Sequence, residues 1–248
     1  MFPVFVEGGF DIYFGQTDQG YCHNYYPDHM NVGPDNHWNT SDNTFPIAEN
    51  VNASDAKCGT DRLNCRWSGD EWTAQAKAYL QNRSSATDSE SESFGSNEEQ
   101  NPFFLYLSYT APHAGDVGSS GEHGEPVPRI SSGPYADKTK EWGLEVEYAS
   151  AVTEIDNQFG IIMETLNATG LADNTVVFFA SDNGASNEGG HSYTFFNSSG
   201  GLNGFKRSLH EGGHRSPLIV RWCVVVLSLV HLHSLRCCCG SGASGGGW

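Results

Sequence analysis

Three groups of side chains in this chain have types and spacings that could bind a hard cation, move a proton or hold an anion. Asp182 and Asn183 stand together in Ser181-Asp182-Asn183-Gly184. A carboxylate beside a carboxamide oxygen offers two hard ligands, the kind Ca²⁺ or Mg²⁺ takes, although such a cation wants six or more oxygens. The same tetrapeptide can also be an ordinary turn. His113 closes Thr110-Ala111-Pro112-His113. An imidazole there can give or take a proton near neutral pH, or contact an anion, or be merely structural. Lys206 and Arg207 open a run that includes His210, His214 and Arg215, interleaved with glycines. Glycines let backbone come close to a ligand, and converging cations hold an anion. A solvated basic turn would read the same way.

The elements that must position these groups follow from periodicity. Residues 102–109, Pro-Phe-Phe-Leu-Tyr-Leu-Ser-Tyr, form a short, continuous, aromatic-rich run, which predicts a strand buried on both faces. From Trp142 the apolar positions Val146, Ala149, Val152, Ile155, Phe159, Ile162 and Leu166 step by three or four, predicting an amphipathic helix that stops near Gly170. Residues 175–180 predict a second buried strand and residues 217–222 a third. Trp72, Ala76 and Leu80 recur every four residues and predict a helix over 71–80. Strand, long helix, strand is the order of a crossover unit with parallel strands. The loops leaving both strands then emerge at one sheet edge, where open α/β sheets bind ligands. That placement brings His113 toward Asp182 and Asn183. Residues 1–70 read as aromatic, Asn-rich loops with short helix or strand pieces. Residues 83–101 are acidic and poor in apolar side chains, as expected of a mobile loop.

Bulk composition narrows the partners. The 248 residues carry 30 Asp+Glu against 13 Lys+Arg, a formal charge of −17. Nucleic acid as a general partner needs a basic surface, and this charge argues against it. An anionic substrate would instead require a local positive patch, which is what the 206–215 run offers. The longest apolar run, from Cys223 to Val230, is shorter than the ~18 residues of a membrane span, and the N-terminus has no secretory signal pattern. Cys58 and Cys65 lie in a polar loop, either as a disulfide or as free thiols. Five N-x-[ST] sequons, at Asn39, Asn52, Asn82, Asn167 and Asn197, favour a secretory origin. No G-x-S-x-G elbow, Walker loop or dinucleotide motif occurs.

Together, residues 102–113, the helix, residues 174–184 and residues 204–215 resemble the sulfatase family, of arylsulfatase type, in order and approximate spacing. Residues 9–15 (Gly-Phe-Asp-Ile-Tyr-Phe-Gly) and 23–27 (His-Asn-Tyr-Tyr-Pro) also look like that family. The resemblance covers about residues 8–222, with 35–100 matching loosely. It implies an alkaline-phosphatase-like α/β fold: a mostly parallel sheet with helices on both faces, here incomplete at both ends. It further implies sulfate ester hydrolysis, with a sulfated small molecule or glycan as substrate. Asp182 and Asn183 match the family's Asp-Asn pair at Ca²⁺, Lys206 matches its sulfate-contacting lysine, and His113 matches its histidine near the ester oxygen. The departures are specific. The family's formylglycine arises from the Cys or Ser of a C-x-P-S-R type motif, which does not occur here, and its early Asp-Asp metal pair is absent. The expectation is therefore a catalytic domain over 1–222, part of a longer secreted or lysosomal protein, inactive alone, followed by an aberrant, disordered tail over 223–248. Two other readings fit the residues: a non-catalytic module binding sulfated glycans, and a phosphatase or phosphodiesterase relative on the same fold.

Overall fold

The computed structural model describes residues 10–33, 44–85, 102–116 and 124–222. Its framework is a pair of helices. α3 (Ser68–Ser85) and α5 (Glu145–Ala168) pack against each other through Ala76 and Leu80 on one side and Ile162 and Leu166 on the other. The three-to-four spacing of the apolar residues makes this possible, because it gathers them on one stripe. Burying each large aliphatic side chain here contributes about 1.5–3 kcal/mol.

The bounds of both helices differ from the spacing that predicts them. α3 begins three residues before Glu71 and continues to Ser85, so Arg83 closes a helix rather than opening a loop. Acidic Asp70 and Glu71 sit in its first turn, where the helix dipole favours them. The long helical pattern from Trp142 divides in two: α4 (Thr139–Trp142) ends at Gly143, whose φ of 59° breaks the turn, and α5 follows. α5 ends as expected. Gly170 takes φ 71°, Gly170 N–H bonds Asn167 O, and Leu171 N–H bonds Leu166 O, a Schellman closure.

The buried face of α5 is not purely apolar. Val152 is exposed, while Glu154 and Gln158 are buried. Such groups need partners, and they have them: Arg129 grips Glu154 through two bonds of 2.9 and 2.6 Å, and Gln158 donates to Asp70 at 2.8 Å.

The extended segments lie over this helix pair. Residues 102–110 are extended, and burial alternates along them. Phe103, Leu105 and Leu107 pack against the helices, whereas Phe104 and Tyr106 are exposed. This run is therefore one-faced, contrary to the expectation of burial on both faces, and it has no ladder partner among the described residues. β4 (Val177–Ala180) alternates in the same way, with Val177 inward and Phe178 65% exposed. β4 pairs with β5 (Leu218–Arg221), and the pairing is antiparallel. The expected mostly parallel sheet with helices on both faces is thus not what the described residues build. They form α/β architecture with two small antiparallel sheets. Partners and direction are non-local, and an apolar run does not encode them.

The N-terminal region holds a three-stranded antiparallel meander, β1 (Tyr13–Gly15), β2 (His29–Gly33) and β3 (Thr44–Pro46), where the sequence suggested only loops with short pieces. The helical turn α1 (Gln19–Cys22) is capped by the Asp18 carboxylate, and α2 (Asp55–Cys58) by the Ser54 hydroxyl. Cys58 and Cys65 form a disulfide and are both buried, which closes the question the sequence left open. Around them, Tyr25, Tyr26, Trp67, Val127 and Ala151 make a second core cluster. Among the described residues no helix is long and apolar enough to cross a membrane. The expectations for residues 86–101 and for the 223–248 tail lie outside the described residues.

Candidate functional site

The site assembles from three loops. The first carries His113. Its backbone is held by the 23–25 segment: Asp116 N–H bonds His23 O at 2.9 Å, Tyr25 N–H bonds Asp116 O at 3.0 Å, and the Tyr25 hydroxyl donates to His113 O. The approach is close enough that a Cβ on Gly115 would lie 2.5 Å from His23 O, so only glycine fits there. The His23 ring stacks on His113 with centroids 4.7 Å apart.

The second loop, 181–190, leaves the end of β4. Ser181 Oγ bonds Asn183 O at 2.9 Å, and the Ser216 hydroxyl donates to Ser181 O at 2.7 Å. Asp182 is exposed and Asn183 partly buried. The third loop carries Lys206. Lys206 N–H bonds Ala185 O at 2.7 Å, and Gly184 N–H bonds Gly213 O at 3.0 Å. A Cβ on Gly184 would lie 1.9 Å from the Gly212 carbonyl oxygen. The second and third loops therefore touch backbone to backbone.

The side chains converge from these anchors. Lys206 Nζ lies 2.8 Å from His113 Nε2 and 2.5 Å from Glu188 Oε2. His113 Nδ1 lies 2.6 Å from the Ala114 carbonyl oxygen, which can only accept. The hydrogen-bond pattern thus assigns the proton to Nδ1 and leaves Nε2 to accept from the Lys206 ammonium. Arg207, with φ 73°, places its guanidinium 2.6 Å from Glu188 Oε1. Burial pushes the Glu188 carboxyl up, but Lys206, His113 and Arg207 outweigh it and hold the group below its ordinary value.

The structure joins His113 to Lys206 directly. It joins the Asp182–Asn183 loop to them through the Lys206–Ala185 backbone bond. The expected ten-residue basic cluster divides. Lys206 and Arg207 face Glu188, whereas His214 and Arg215 pair with Glu211 on α6 (Glu211–His214), at 3.6 and 3.7 Å. Sequence reasoning missed Glu188, His23 and Tyr25. The Gly189-Gly190 pair after Glu188 was the available signal, since both take positive φ and turn the chain beneath the site.

Asp182 and Asn183 suit a hard cation in kind but supply two of the six or more oxygens it needs. Among the described residues no three His, Cys, Asp or Glu side chains gather as a metal site.

The sulfatase family model matches residues 7–224, so the chain belongs to the sulfatase family. It is similar to N-acetylgalactosamine-6-sulfatase of Mus musculus, 37% identical over 128 residues, which is 50% of this chain and 20% of that protein. The N-acetylgalactosamine-6-O-sulfatase of Bacteroides thetaiotaomicron is 32% identical over 137 residues, 53% of this chain and 24% of its own. Steryl-sulfatase of Rattus norvegicus is 31% identical over 141 residues, 56% and 22%. The chain thus spans about a fifth of the length of these relatives. Among solved structures, Ps i-CgsB in complex with k-i-k-neocarrahexaose shares the fold at a TM-score of 0.51 and 20% identity, over 87% of this chain and 40% of that one.

Proposed function

We propose that the protein to which this chain belongs hydrolyses sulfate esters, with Lys206 and His113 at the sulfate. The observation that carries this reading is the 2.8 Å contact between Lys206 Nζ and His113 Nε2, built by two loops 93 residues apart in a protein of net charge −17. Lys206 supplies a fixed positive charge to the sulfate oxygens, where charge builds during cleavage. Once the ester takes up the Lys206 hydrogen bonds, the His113 Nε2 lone pair is free to take a proton from solvent, and the imidazolium so formed passes that proton to the leaving oxygen while Nδ1–H stays on Ala114 O. Tyr25 and His23 keep the imidazole in place.

Asp182 and Asn183 are proposed as two ligands of a Ca²⁺ whose other oxygens come from outside the described residues, and no step here runs through it. The family's formylglycine would supply covalent attack. Because the 248 residues contain no C-x-P-S-R motif, the chain by itself is expected to show no turnover. The mostly parallel sheet is likewise proposed for the whole protein. Supporting it, residues 103–107 and β4 lay the same kind of alternating face on the α3–α5 pair.

The substrate class is a sulfated small molecule or glycan. The names of the N-acetylgalactosamine sulfatases favour the sugar ester. A secretory or lysosomal destination, with N-glycans, is supported by the Cys58–Cys65 disulfide and by exposed Asn52, Asn82, Asn167 and Asn197. Asn39 lies outside the described residues. Expression in a eukaryotic host checks this, and no mass change on glycosidase treatment would count against it. The activity test is hydrolysis of a chromogenic aryl sulfate and of a 6-sulfated N-acetylgalactosamine. It compares this chain with a longer form that includes a nucleophile motif. Turnover by the chain alone, or none by the longer form, would overturn the assignment.

A further inference from the structure

The two cations of the site, Lys206 and Arg207, both reach Glu188. Its Oε2 takes the Lys206 ammonium at 2.5 Å, lies 3.4 Å from His113 Nε2 and is 3.2 Å from the Ser186 hydroxyl. Its Oε1 takes the Arg207 guanidinium at 2.6 Å. One carboxylate therefore meets the lysine and the histidine that the preceding section places at the sulfate, together with the adjacent arginine.

Its position is built by the backbone around it. Upstream, the Glu188 N–H bonds Ser186 Oγ at 3.0 Å. Downstream, Gly189 presses so close to the His113 loop that a Cβ there would lie 2.8 Å from Ala114 Cβ. Beyond it, buried His191 is tied to Glu145 of α5, and Ser192 N–H bonds the same carboxylate at 2.8 Å. Residue 188 is thus clamped between two fixed points, with its side chain aimed at Lys206.

The geometry points to Glu188 as an internal counter-anion seated in the sulfate position, so that an incoming sulfate ester binds Lys206, Arg207 and His113 only by displacing it. The inference rests on the sulfatase reading of Lys206 and His113. Two charges explain its direction. With Glu188 in place, Lys206 and Arg207 present one net positive charge; without it they present two. A carboxylate and a sulfate both present acceptor oxygens to the same donors, so they compete rather than coexist. A competitor of this kind sets the affinity of the site: it weakens retention of free sulfate, a product, as much as it weakens capture of the ester. An ester with further contacts elsewhere recovers the loss, whereas the bare ion does not.

The experiment is a calorimetric titration of the 248-residue chain with inorganic sulfate in a low-salt cationic buffer. Glu188→Gln keeps the size of the side chain and removes its charge, and it is expected to bind sulfate at least ~10-fold more tightly than the unmodified chain. Glu188→Ala should show the same gain, which guards against a structural effect of the amide, and circular dichroism verifies the fold of both. Adding Lys206→Ala to Glu188→Gln should abolish the gain. Equal or weaker sulfate binding by both Glu188 variants overturns the inference, as does a gain that survives Lys206→Ala. The two readings fail separately. Tighter sulfate binding without ester turnover in the longer form would remove the sulfatase assignment and leave the counter-anion standing. Turnover without any change in sulfate affinity would do the reverse.

Discussion

Two carboxylate clusters in this molecule use the same residue types to opposite ends. In the site, Glu188 sits on a loop among Lys206, Arg207 and His113, and its carboxyl is held below the ordinary range. At the start of α5, Glu125 sits beside Glu147 and Glu145. Burial first, then those two carboxylates, push it up to about 8. Glu125 is 2% exposed, and its Oε2 has no hydrogen-bond partner. The groups that could pair with it are engaged elsewhere: Arg62 with Glu147 at 3.3 Å, and His191 Nδ1 with Glu145. The difference is one of neutralisation. Where cations converge on an acid, the charge is kept and remains available to trade for a ligand. Where acids converge, one of them surrenders its charge and becomes a structural group that titrates.

The sharpest break of this comparison is at the site. In the longer, nucleophile-bearing form, Lys206→Ala or His113→Ala should lower aryl sulfate turnover by ~10²-fold or more, with folding unchanged by circular dichroism. Unchanged rates in both would remove the site from the comparison altogether.

The buried cluster should respond to pH instead. The unfolded chain releases the Glu125 proton near the usual carboxylate value, while the folded chain holds it up to about 8. Between those values the folded state binds more protons, so stability is fully present below the lower value and is lost as pH rises toward 8. Glu125→Gln should flatten that loss and stabilise the chain at pH 8 by roughly 2 kcal/mol. Denaturant midpoints at pH 5 and pH 8 measure it, and an equal pH slope in the variant would contradict the account.

A smaller effect is expected where an acid of α5 is well paired. Arg129→Ala leaves Glu154 buried without its two-bond partner and should cost ~1–2 kcal/mol of stability, read from the same unfolding curves. The smallest belongs to Arg215. Its contact with Glu211 is exposed and 3.7 Å long, so Arg215→Ala should change stability by less than ~0.5 kcal/mol. It should also leave sulfate affinity nearly untouched, unlike any change at Lys206.

Local period carried most of the fold that the sequence revealed. Ala76 and Leu80, or Ile162 and Leu166, announce their helices because the stripe lies within a single segment. Val177–Ala180 and Leu218–Arg221 were visible for the same reason. Their antiparallel pairing was not, because direction depends on where the chain returns. The alternating burial of Phe103 to Leu107 was hidden by a run apolar on both sides. In the site, His113, Lys206, Asp182 and Asn183 stand in compact motifs and could be singled out. Glu188 had only the two glycines after it as a hint, because an acid in an acidic chain does not stand out until Lys206 and Arg207 are seen to meet it. His23 and Tyr25 act on His113 from 88 or more positions away, a relation only folding creates.

The bare contact between Gly184 and Gly212 has a mechanical meaning. Because no side chain stands between the two loops, the separation of the Asp182–Asn183 pair from Lys206 is set by the thickness of a peptide group, the least compliant spacer a protein has. A methyl group at Gly184 would act as a wedge, driving apart two parts of the site without touching either. The stretch from Tyr193 to Leu202, by contrast, is spaced by side chains: Phe195 and Phe196 lie edge-on to Trp142, and Phe196 lies beside Tyr148 of α5.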